Sequence, residues 1–589
     1  MDSGTALSDT PYRPAALFCF LDSLQVARAW GVRPAWAGSR GRPVPSPARR
    51  AARWRATAPA WRMQLPFGKL QLRLGRLRPP KREGDAAAGA SSAELSPAAA
   101  LCAWLAENGV YMEDRSTWGK APHGLLIADG TTDDGEPCGR GLLAKREIRT
   151  GESMFEVPLH LCMTRGVADR RFERLDVPEM AGVDDYLALA SLLLYEDELR
   201  ARRGRGECQH GSFWDPYLRM LPRLDAPLDS SDASPLNLLW LWGEDDLAWL
   251  EGSPALMAAR LLRDKIDREY AGMLSGVYSR HPQVFDTDSA FTLEKFRWAF
   301  GILFSRAALM PSDAQTLALV PYADLVNHSP FSDAYIDMQS SSTRYAFRPA
   351  WKSRRHHWLA GALLRGDRGG DHRAAPGEYP NAEDVREPPD REIVAYSDRE
   401  YNPLDQIFVS YGQKSNAELL LFYGFVSERN PYNSVDMSVS LQTHAPQNDP
   451  LLERKMAFLQ ECGRDPHQPE RFPLFADRYP MELRQFLRFA HLTEDDVAGA
   501  ADLEQVDVTR PVSAANERAS VQALVDACRK ALAAYPTSAD EDDLALADSQ
   551  MAALLTLNQR LAIRLRRSEK RILDKTIAAV QREFRMRGG

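Results

Sequence analysis

Asp324-Leu325-Val326-Asn327-His328-Ser329 and, downstream, Tyr411-Gly412 followed by Tyr423-Gly424-Phe425 are the stretches that decide how this chain folds. Leu317-Ala318-Leu319-Val320-Pro321 is short, apolar and closed by a proline, so it reads as a strand that runs into the Asn327-His328 turn. Gln406–Ser410 leads into Tyr411 as a second extended segment. Ser415-Asn416-Ala417-Glu418 is a capping box, in which each side chain satisfies an orphan backbone N–H of the other residue. The chain therefore turns from strand into helix just past Gly412. That helix runs to Tyr423 and stops at Gly424, a residue that takes the left-handed conformation without a Cβ clash. Tyr411 at a strand end and Tyr423 one short helix later share a cleft if Asn327-His328 packs against this turn.

Working outward, Leu293–Arg306 predicts a helix with Thr292 as N-cap and Leu293, Phe296, Phe300 and Leu303 on one face. Residues 183 to 290 look helical, with apolar residues three and four apart in Asp184–Arg202, Leu247–Leu250 and Pro254–Leu274. They form an insertion between two β-rich parts. Leu101 to Asn108 predicts a short helix. Gly139-Arg140-Gly141-Leu142-Leu143-Ala144, a turn at Thr150-Gly151-Glu152 and Met154-Phe155-Glu156-Val157-Pro158 together predict a β-hairpin. The glycines flanking Arg140 let backbone approach a ligand closely. Residues 346–390 are rich in Arg, His, Gly, Asp and Pro without periodicity and read as a disordered insertion. Its His356-His357 pair and His372 lack the fixed spacing or cysteine company of a metal site. Glu392–Tyr396 resumes as a strand. The last part reads as helical, with a capping box at Ser538 and Glu541, an amphipathic stripe of Leu554, Leu557, Leu561 and Leu565, and a charge cluster at Arg564–Arg571. A packed helical domain fits this better than a coiled-coil partner site.

The 589 residues exceed one ordinary domain. A hydrophobic content of 44% supplies real cores, and a net charge of -7 lacks the basic balance of a nucleic-acid-binding domain. No run approaches the roughly 18 apolar residues of a membrane span. Seven scattered cysteines contain no C-x-x-C pair, so neither a zinc site nor a disulfide framework is indicated and a reducing compartment is expected. Residues 23 to 82 carry no Asp or Glu but 15 Lys and Arg. That composition suits an organelle transit peptide cleaved between 60 and 95, and otherwise a basic tail. The Ala-, Gly- and Ser-rich stretch Asp85–Ser96 reads as a linker.

Singly, these elements have plain explanations. A tyrosine in a strand is ordinarily packing, an Asn-His-Ser turn is ordinarily side-chain capping, and Arg306 at a helix end answers the helix dipole. Their order and company resemble the SET-domain protein-lysine methyltransferases of the Rubisco large-subunit type, across roughly 100 to 585. The resemblance rests on Gly139-Arg140-Gly141-Leu142, Ser212-Phe213-Trp214-Asp215-Pro216-Tyr217-Leu218, Trp242-Gly243-Glu244-Asp245-Asp246-Leu247, Ser305-Arg306-Ala307, Pro321–Ser329 and Tyr411-Gly412. Tyr535-Pro536-Thr537 and Arg567-Ser568-Glu569-Lys570-Arg571-Ile572-Leu573 look like the family's substrate-binding domain.

The resemblance implies an α+β chain: a β-rich SET domain with a helical insertion, followed by an all-α C-terminal substrate-binding domain. Leader and linker occupy 1–95, the SET domain 96–182 and 291–430 around the insertion 183–290, and the C-terminal domain 431–589. It implies S-adenosyl-L-methionine as cofactor, held by Cys138, Gly139 and Arg140 through backbone groups and by Arg306, Asn327 and His328. Tyr411 would be the catalytic residue. Arg306, Asp324, Tyr335, Tyr411 and Tyr423 would line the substrate channel, with no metal. The partner would be a protein with an accessible lysine, the Rubisco large subunit or fructose-bisphosphate aldolase among the candidates. Nucleic acid and membrane are not expected, and the chain would be a monomer in the plastid, with the mitochondrion or cytoplasm as alternatives. A related branch methylates a histidine of actin and places an Asn two residues after its Arg; Ala308 stands there here, which favours lysine. The alternative is a catalytically silent adaptor that keeps the fold and binds partners through its C-terminal helices.

Methyl transfer from a sulfonium needs an uncharged amine placed in line, not an acid or a metal. Bringing a lysine from its reference pKa to neutrality at pH 7 costs roughly 4.6 kcal/mol. A desolvating, tyrosine-lined channel lowers that cost, and alignment supplies further acceleration.

Overall fold

Small sheets, each of two or three strands, combine with helices packed around one buried helix in the first part of the chain. The computed structural model describes residues 96–110, 125–224, 235–310, 316–340, 391–498 and 503–586. The leader of 1–95 and the 346–390 insertion, with its three histidines, lie outside them. β1 (Leu125–Asp133) pairs with β2 (Glu136–Ala144), and the Asp134-Gly135 turn between them has positive φ at both residues, as a two-residue hairpin turn demands. β3 (Ser153–Pro158) pairs antiparallel with β9 (Arg391–Tyr396), which also takes β8 (Ile336–Ser340) on its other edge. β4 (Met163–Thr164), β6 (Thr316–Leu319) and β5 (Ala307–Met310) form a third sheet in that order. β7 (Asn327–His328) runs parallel to β10 (Phe408–Val409).

The hairpin expected from 139 to 157 is therefore not formed. Gly139–Ala144 folds back on a strand before it, and the turn at Gly151 hands the chain to a different sheet. The donors of this turn are taken by distant backbone: Ile148 exchanges hydrogen bonds with Tyr401, and the Gly151 N–H donates to the Ser397 carbonyl. Long-range pairing outweighed a turn signal that was only local.

The helical readings fare better. α1 (Asp185–Gly204) starts at Asp184, whose side chain accepts from the Tyr186 N–H, and α2 (Pro254–Gly276) starts at Ser253. α3 (Leu293–Arg306) begins at the Thr292 cap, and Phe296, Phe300 and Leu303 are buried as the apolar stripe requires. Trp298, Ala299, Ile302 and Phe304 are buried as well, so α3 is the central helix of this part. Each such aromatic contributes about 1.5–3 kcal/mol by leaving water. α4 (Asn416–Tyr423) shows both halves of the Ser415–Glu418 capping box and ends at Gly424 with φ 82°.

The C-terminal part has its own core, built from α5 (Met481–Ala490), α6 (Ala514–Ala533) and their neighbours. It is helical as expected, and it also contains a two-stranded antiparallel sheet, β11 (Ser434–Val439) with β12 (Glu470–Phe475). Pro473 in the middle of β12 had masked that strand, since proline cannot donate to a ladder and demotes a run to an edge. α7 (Ala539–Ala547) carries the second predicted capping box. α8 (Leu557–Met586) joins the two cores: Leu561, Ala562 and Leu565 belong to the first, and Ile572, Leu573 and Val580 to the second. Leu554, placed in this stripe by its spacing, instead lies in the separate short helix Ser549–Leu554 and is 85% exposed. Gly252 faces the Ala534-Tyr535 backbone so closely that a Cβ there would meet it at 2.7 Å.

Candidate active site

The two decisive stretches meet. Parallel pairing places Asn327 opposite Phe408 and His328 opposite Val409, so the turn residues and the approach to Tyr411 lie side by side. The turn is entered under strain: Tyr322 has φ 76°, a conformation that a bulky residue adopts only when its surroundings impose it. Its buried ring packs against Phe155, and its hydroxyl donates to the Leu125 carbonyl.

His328 is 8% exposed. The Tyr411 backbone N–H donates to its Nδ1 at 3.0 Å. An N–H can only donate, so Nδ1 is the acceptor, the ring is neutral and its proton sits on Nε2. The Val409 carbonyl, 3.4 Å from the same nitrogen, is then a contact and not a hydrogen bond. Burial pulls the imidazole pKa down to about 4, in keeping with that neutral form.

Tyr411 stacks between two rings, with His328 5.0 Å away on one face and Tyr423 4.7 Å on the other. Its hydroxyl donates to the Val326 carbonyl at 2.7 Å, which fixes the phenol and leaves oxygen lone pairs for another contact. Burial raises the pKa of both tyrosines, so they remain neutral phenols near pH 7. Beneath them, Arg306 Nη1 donates to the Asp324 carbonyl at 3.1 Å and to its Oδ2 at 3.2 Å. The Tyr217 hydroxyl donates to the same Oδ2 at 3.0 Å. Burial pushes the Asp324 pKa up while Arg306 pulls it back.

The Cys138-Gly139-Arg140 segment is tied to the turn. Asn327 Nδ2 donates to the Arg140 carbonyl at 3.0 Å and to Thr131 Oγ1 at 3.3 Å, and Thr131 in turn donates to the Gly139 carbonyl. The Arg140 guanidinium points elsewhere, to Asp129 and the Met220 carbonyl. Gly141 makes this approach possible: a Cβ there would sit 2.7 Å from Asn327 Nδ2 and 3.0 Å from Thr131 Oγ1.

Of the residues expected at the site, Gly139, Arg140 and Asn327 are joined through one group of these contacts, His328, Tyr411 and Tyr423 through a second, and Arg306 and Asp324 through a third, while Cys138 precedes Gly139 in the chain. Tyr335 differs. It is 58% exposed just before β8, although the Ser410 N–H donates to the carbonyl of its neighbour Ala334. Its position is at the rim. Three further residues were not singled out from sequence: Tyr217, Thr131 and Gln406. Tyr217 sat in a quoted motif and Gln406 opens the segment into Tyr411, but nothing in a lone sequence marks a side chain as buried.

Several buried polar atoms here lack hydrogen-bond partners: Asp324 Oδ1, Arg306 Nε, and both amide atoms of Gln406. Gln406 lies beside the Cys138 thiol and the open side of Gly141. Orphan groups of this kind cost roughly 1–3 kcal/mol each unless something binds them, so the site suits a polar ligand that brings both donors and acceptors. Among the described residues no cluster of three His, Cys, Asp or Glu could hold a metal ion.

The chain is also similar to known proteins. Residues 446–573 match the family model described as Rubisco LSMT substrate-binding. The chloroplastic fructose-bisphosphate aldolase-lysine N-methyltransferase of Arabidopsis thaliana is 26% identical over 452 residues, covering 74% of this chain and 76% of that protein. The chloroplastic ribulose-1,5 bisphosphate carboxylase/oxygenase large subunit N-methyltransferase of Nicotiana tabacum is 25% identical over 444 residues, 74% and 75% of the two chains. Over most of its length this chain is similar to SET-domain protein methyltransferases of the Rubisco large-subunit type. The human actin-histidine N-methyltransferase is also similar, at 25% identity over 506 residues, 82% of this chain and 68% of that one. The fold is shared with the SET domain of LSMT bound to lysine and AdoHcy, at TM-score 0.57 and 22% identity over 83% of this chain and 91% of that one. Rubisco LSMT bound to AdoMet gives the same TM-score at 21% identity, over 83% and 93% of the two chains. No helix among the described residues is long and apolar enough to cross a membrane.

Proposed function

We propose that the chain transfers a methyl group from S-adenosyl-L-methionine to a lysine side chain of a non-histone protein. The observation that carries this reading is Tyr411, held between His328 and Tyr423 with its hydroxyl fixed by the Val326 carbonyl and a buried carboxylate, Asp324, close by. The cofactor supplies an electrophilic methyl on a sulfonium. Cys138, Gly139, Arg140, Arg306, Asn327 and His328 would hold it, and the orphan Gln406 amide fits its amino-acid end, where an ammonium needs an acceptor and a carboxylate a donor.

Tyr411 and Tyr423 present ring faces and neutral hydroxyls to the incoming amine. They favour its uncharged form by keeping water out and hold it in line for attack. The Tyr411 oxygen can polarise the methyl hydrogens through a weak C–H···O contact. Asp324 Oδ1, free of partners, is an acceptor for an amine N–H in the channel. Tyr335 serves the rim.

Lysine is favoured over histidine because Ala308, two residues past Arg306, offers only a methyl group. On this reading the region from 431 on recognises the substrate protein, the leader of 1–95 directs import, and the plastid is the first compartment to test. The Rubisco large subunit and fructose-bisphosphate aldolase are the first substrates to try, given what two of the relatives are named for. The adaptor alternative is not favoured, since an adaptor has no use for orphan polar atoms around an intact Tyr411.

Incubating the protein with radiolabelled S-adenosylmethionine and plastid extract tests the reading. Wild type is expected to label a protein whose hydrolysate contains methyl-lysine, and Tyr411→Phe to label it roughly 100-fold more slowly. Absence of label, or label recovered as methylhistidine, overturns the lysine assignment.

A further inference from the structure

The tip of the β1–β2 hairpin is clasped by Glu428 and Arg429 and, from the C-terminal part of the chain, by α8. Glu136, the first residue of β2, lies two positions before Cys138. Its carboxylate accepts from the Glu428 backbone N–H at 3.1 Å and pairs with Arg564 of α8 at 3.3 Å. Arg564 also donates through Nε to Glu428 at 2.9 Å, and Arg567, one helical turn on, pairs with the same carboxylate. Arg429 pairs with Asp134 in the turn itself. Arg564 and Arg567 lie within 446–573, the span matched by the substrate-binding family model.

The pairs among Glu136, Glu428, Arg564 and Arg567 form one connected set, with Arg429–Asp134 beside it. A lone exposed pair contributes little, about 0–1 kcal/mol, but a set sharing Glu428 and Glu136 fixes where the strand starts as well as how strongly it is held. The middle of that strand is already fixed, by Asn327 at the Arg140 carbonyl. The segment assigned to the cofactor is thus suspended between the catalytic turn and the C-terminal helix.

We infer that Arg564 is a positioning residue for cofactor binding: through Glu136 it sets the Cys138-Gly139-Arg140 segment, and so couples the C-terminal module to the affinity for S-adenosylmethionine. The inference rests on the methyltransferase reading and adds its regulation. Because coupling is reciprocal, whatever shifts α8 on engaging a protein substrate shifts cofactor affinity by the same factor that the cofactor shifts substrate affinity.

The test is calorimetric titration of the full chain with S-adenosylhomocysteine, comparing wild type, Arg564→Ala, Glu136→Gln and the double variant. Each single change is expected to raise Kd about fivefold, and the double variant less than the sum of the singles, since both remove the Arg564–Glu136 pair. Arg564→Lys should recover part of the loss. Melting temperatures without ligand should stay at the wild-type value, as they do for most surface changes. Variants that bind like wild type, or losses that simply add in the double variant, overturn the inference. So does a fall in melting temperature that tracks the loss of affinity. A wild-type chain that does not bind the ligand overturns the methyltransferase reading, and this inference with it.

Discussion

His328 and Gly141 carry the sharpest consequences at the scale of single residues. The His328 pKa falls from an ordinary 6.5 to about 4 through burial. The unfolded chain therefore takes up a proton at this residue before the folded one does. Its contribution is intact above pH 6.5 and is lost as the pH falls toward 4, to the extent of about 3 kcal/mol. Urea titrations at a series of pH values should show this acid-side slope in wild type, and a shallower one in His328→Gln. Gly141 is needed for clearance, because a Cβ would press on Asn327 and Thr131 at once. Gly141→Ala is expected to cost cofactor affinity at least tenfold by calorimetry while melting within a few degrees of wild type, since the strain can be relieved by displacing Asn327. An unchanged Kd would show that the Asn327–Arg140 bond does not shape the site.

Among elements, the capping boxes and α3 were legible in the sequence because caps and amphipathic stripes are local, written within one or two helical turns. Strand partners were not. β3 finds β9 across more than half of the SET part, and only the folded chain shows that Ile148 and Gly151 are already engaged by 397–401. β12 hid behind Pro473, and the exposure of Tyr335 could not be read from spacing near a long insertion. At the site, residue types with a motif were found, while Gln406 and Tyr217 became visible only through burial. The joint between α2 and α8 adds a prediction of its own. Glu569 on α8 accepts from the Ser253 hydroxyl that caps α2 and from the Tyr535 hydroxyl, at 3.0 and 3.1 Å. Burial pushes its carboxyl from 4.5 up to about 7, so the folded chain keeps a proton that the unfolded chain has lost. That stabilisation is full below pH 4.5 and disappears as the pH rises through 7, by about 3 kcal/mol. Its sign is opposite to that of His328, and the two partly cancel in wild type. Glu569→Gln should flatten the alkaline side and raise the melting temperature at pH 8; a variant with the wild-type pH profile would show that Glu569 is ionised throughout.

For the molecule as a whole, the charge cluster at 564–571 proves to be partly internal, with Arg566, Glu569 and Lys570 buried and Arg571 exposed. Lys570 pairs with Asp542 at 2.6 Å, both buried, and Arg566 pairs with the same carboxylate. Buried pairs of this kind add little net stability, but they fix how α7 and α8 fit together. Stability comes instead from the apolar side chains that α8 gives to both cores. Ending the chain at residue 556 would remove six of them, worth on the order of 10 kcal/mol, which is comparable with the 5–15 kcal/mol that stabilises a typical protein. Such a truncated chain is expected to be insoluble or to lack a cooperative melt, and the full chain to melt in one transition seen alike by tryptophan fluorescence and circular dichroism. A soluble, cooperatively folded product ending at 556 would mean that the first core closes without α8.

The shared helix also sets an order of events during synthesis. Chains emerge from the N-terminus, and domains ordinarily fold in turn as they appear. Here Leu561, Ala562 and Leu565 complete the first core, yet every other buried residue of that core lies at or before Val426. The first core must wait, with an apolar face uncovered, until α8 has emerged from the ribosome. A premature stop before α8 is expected to leave that face bare.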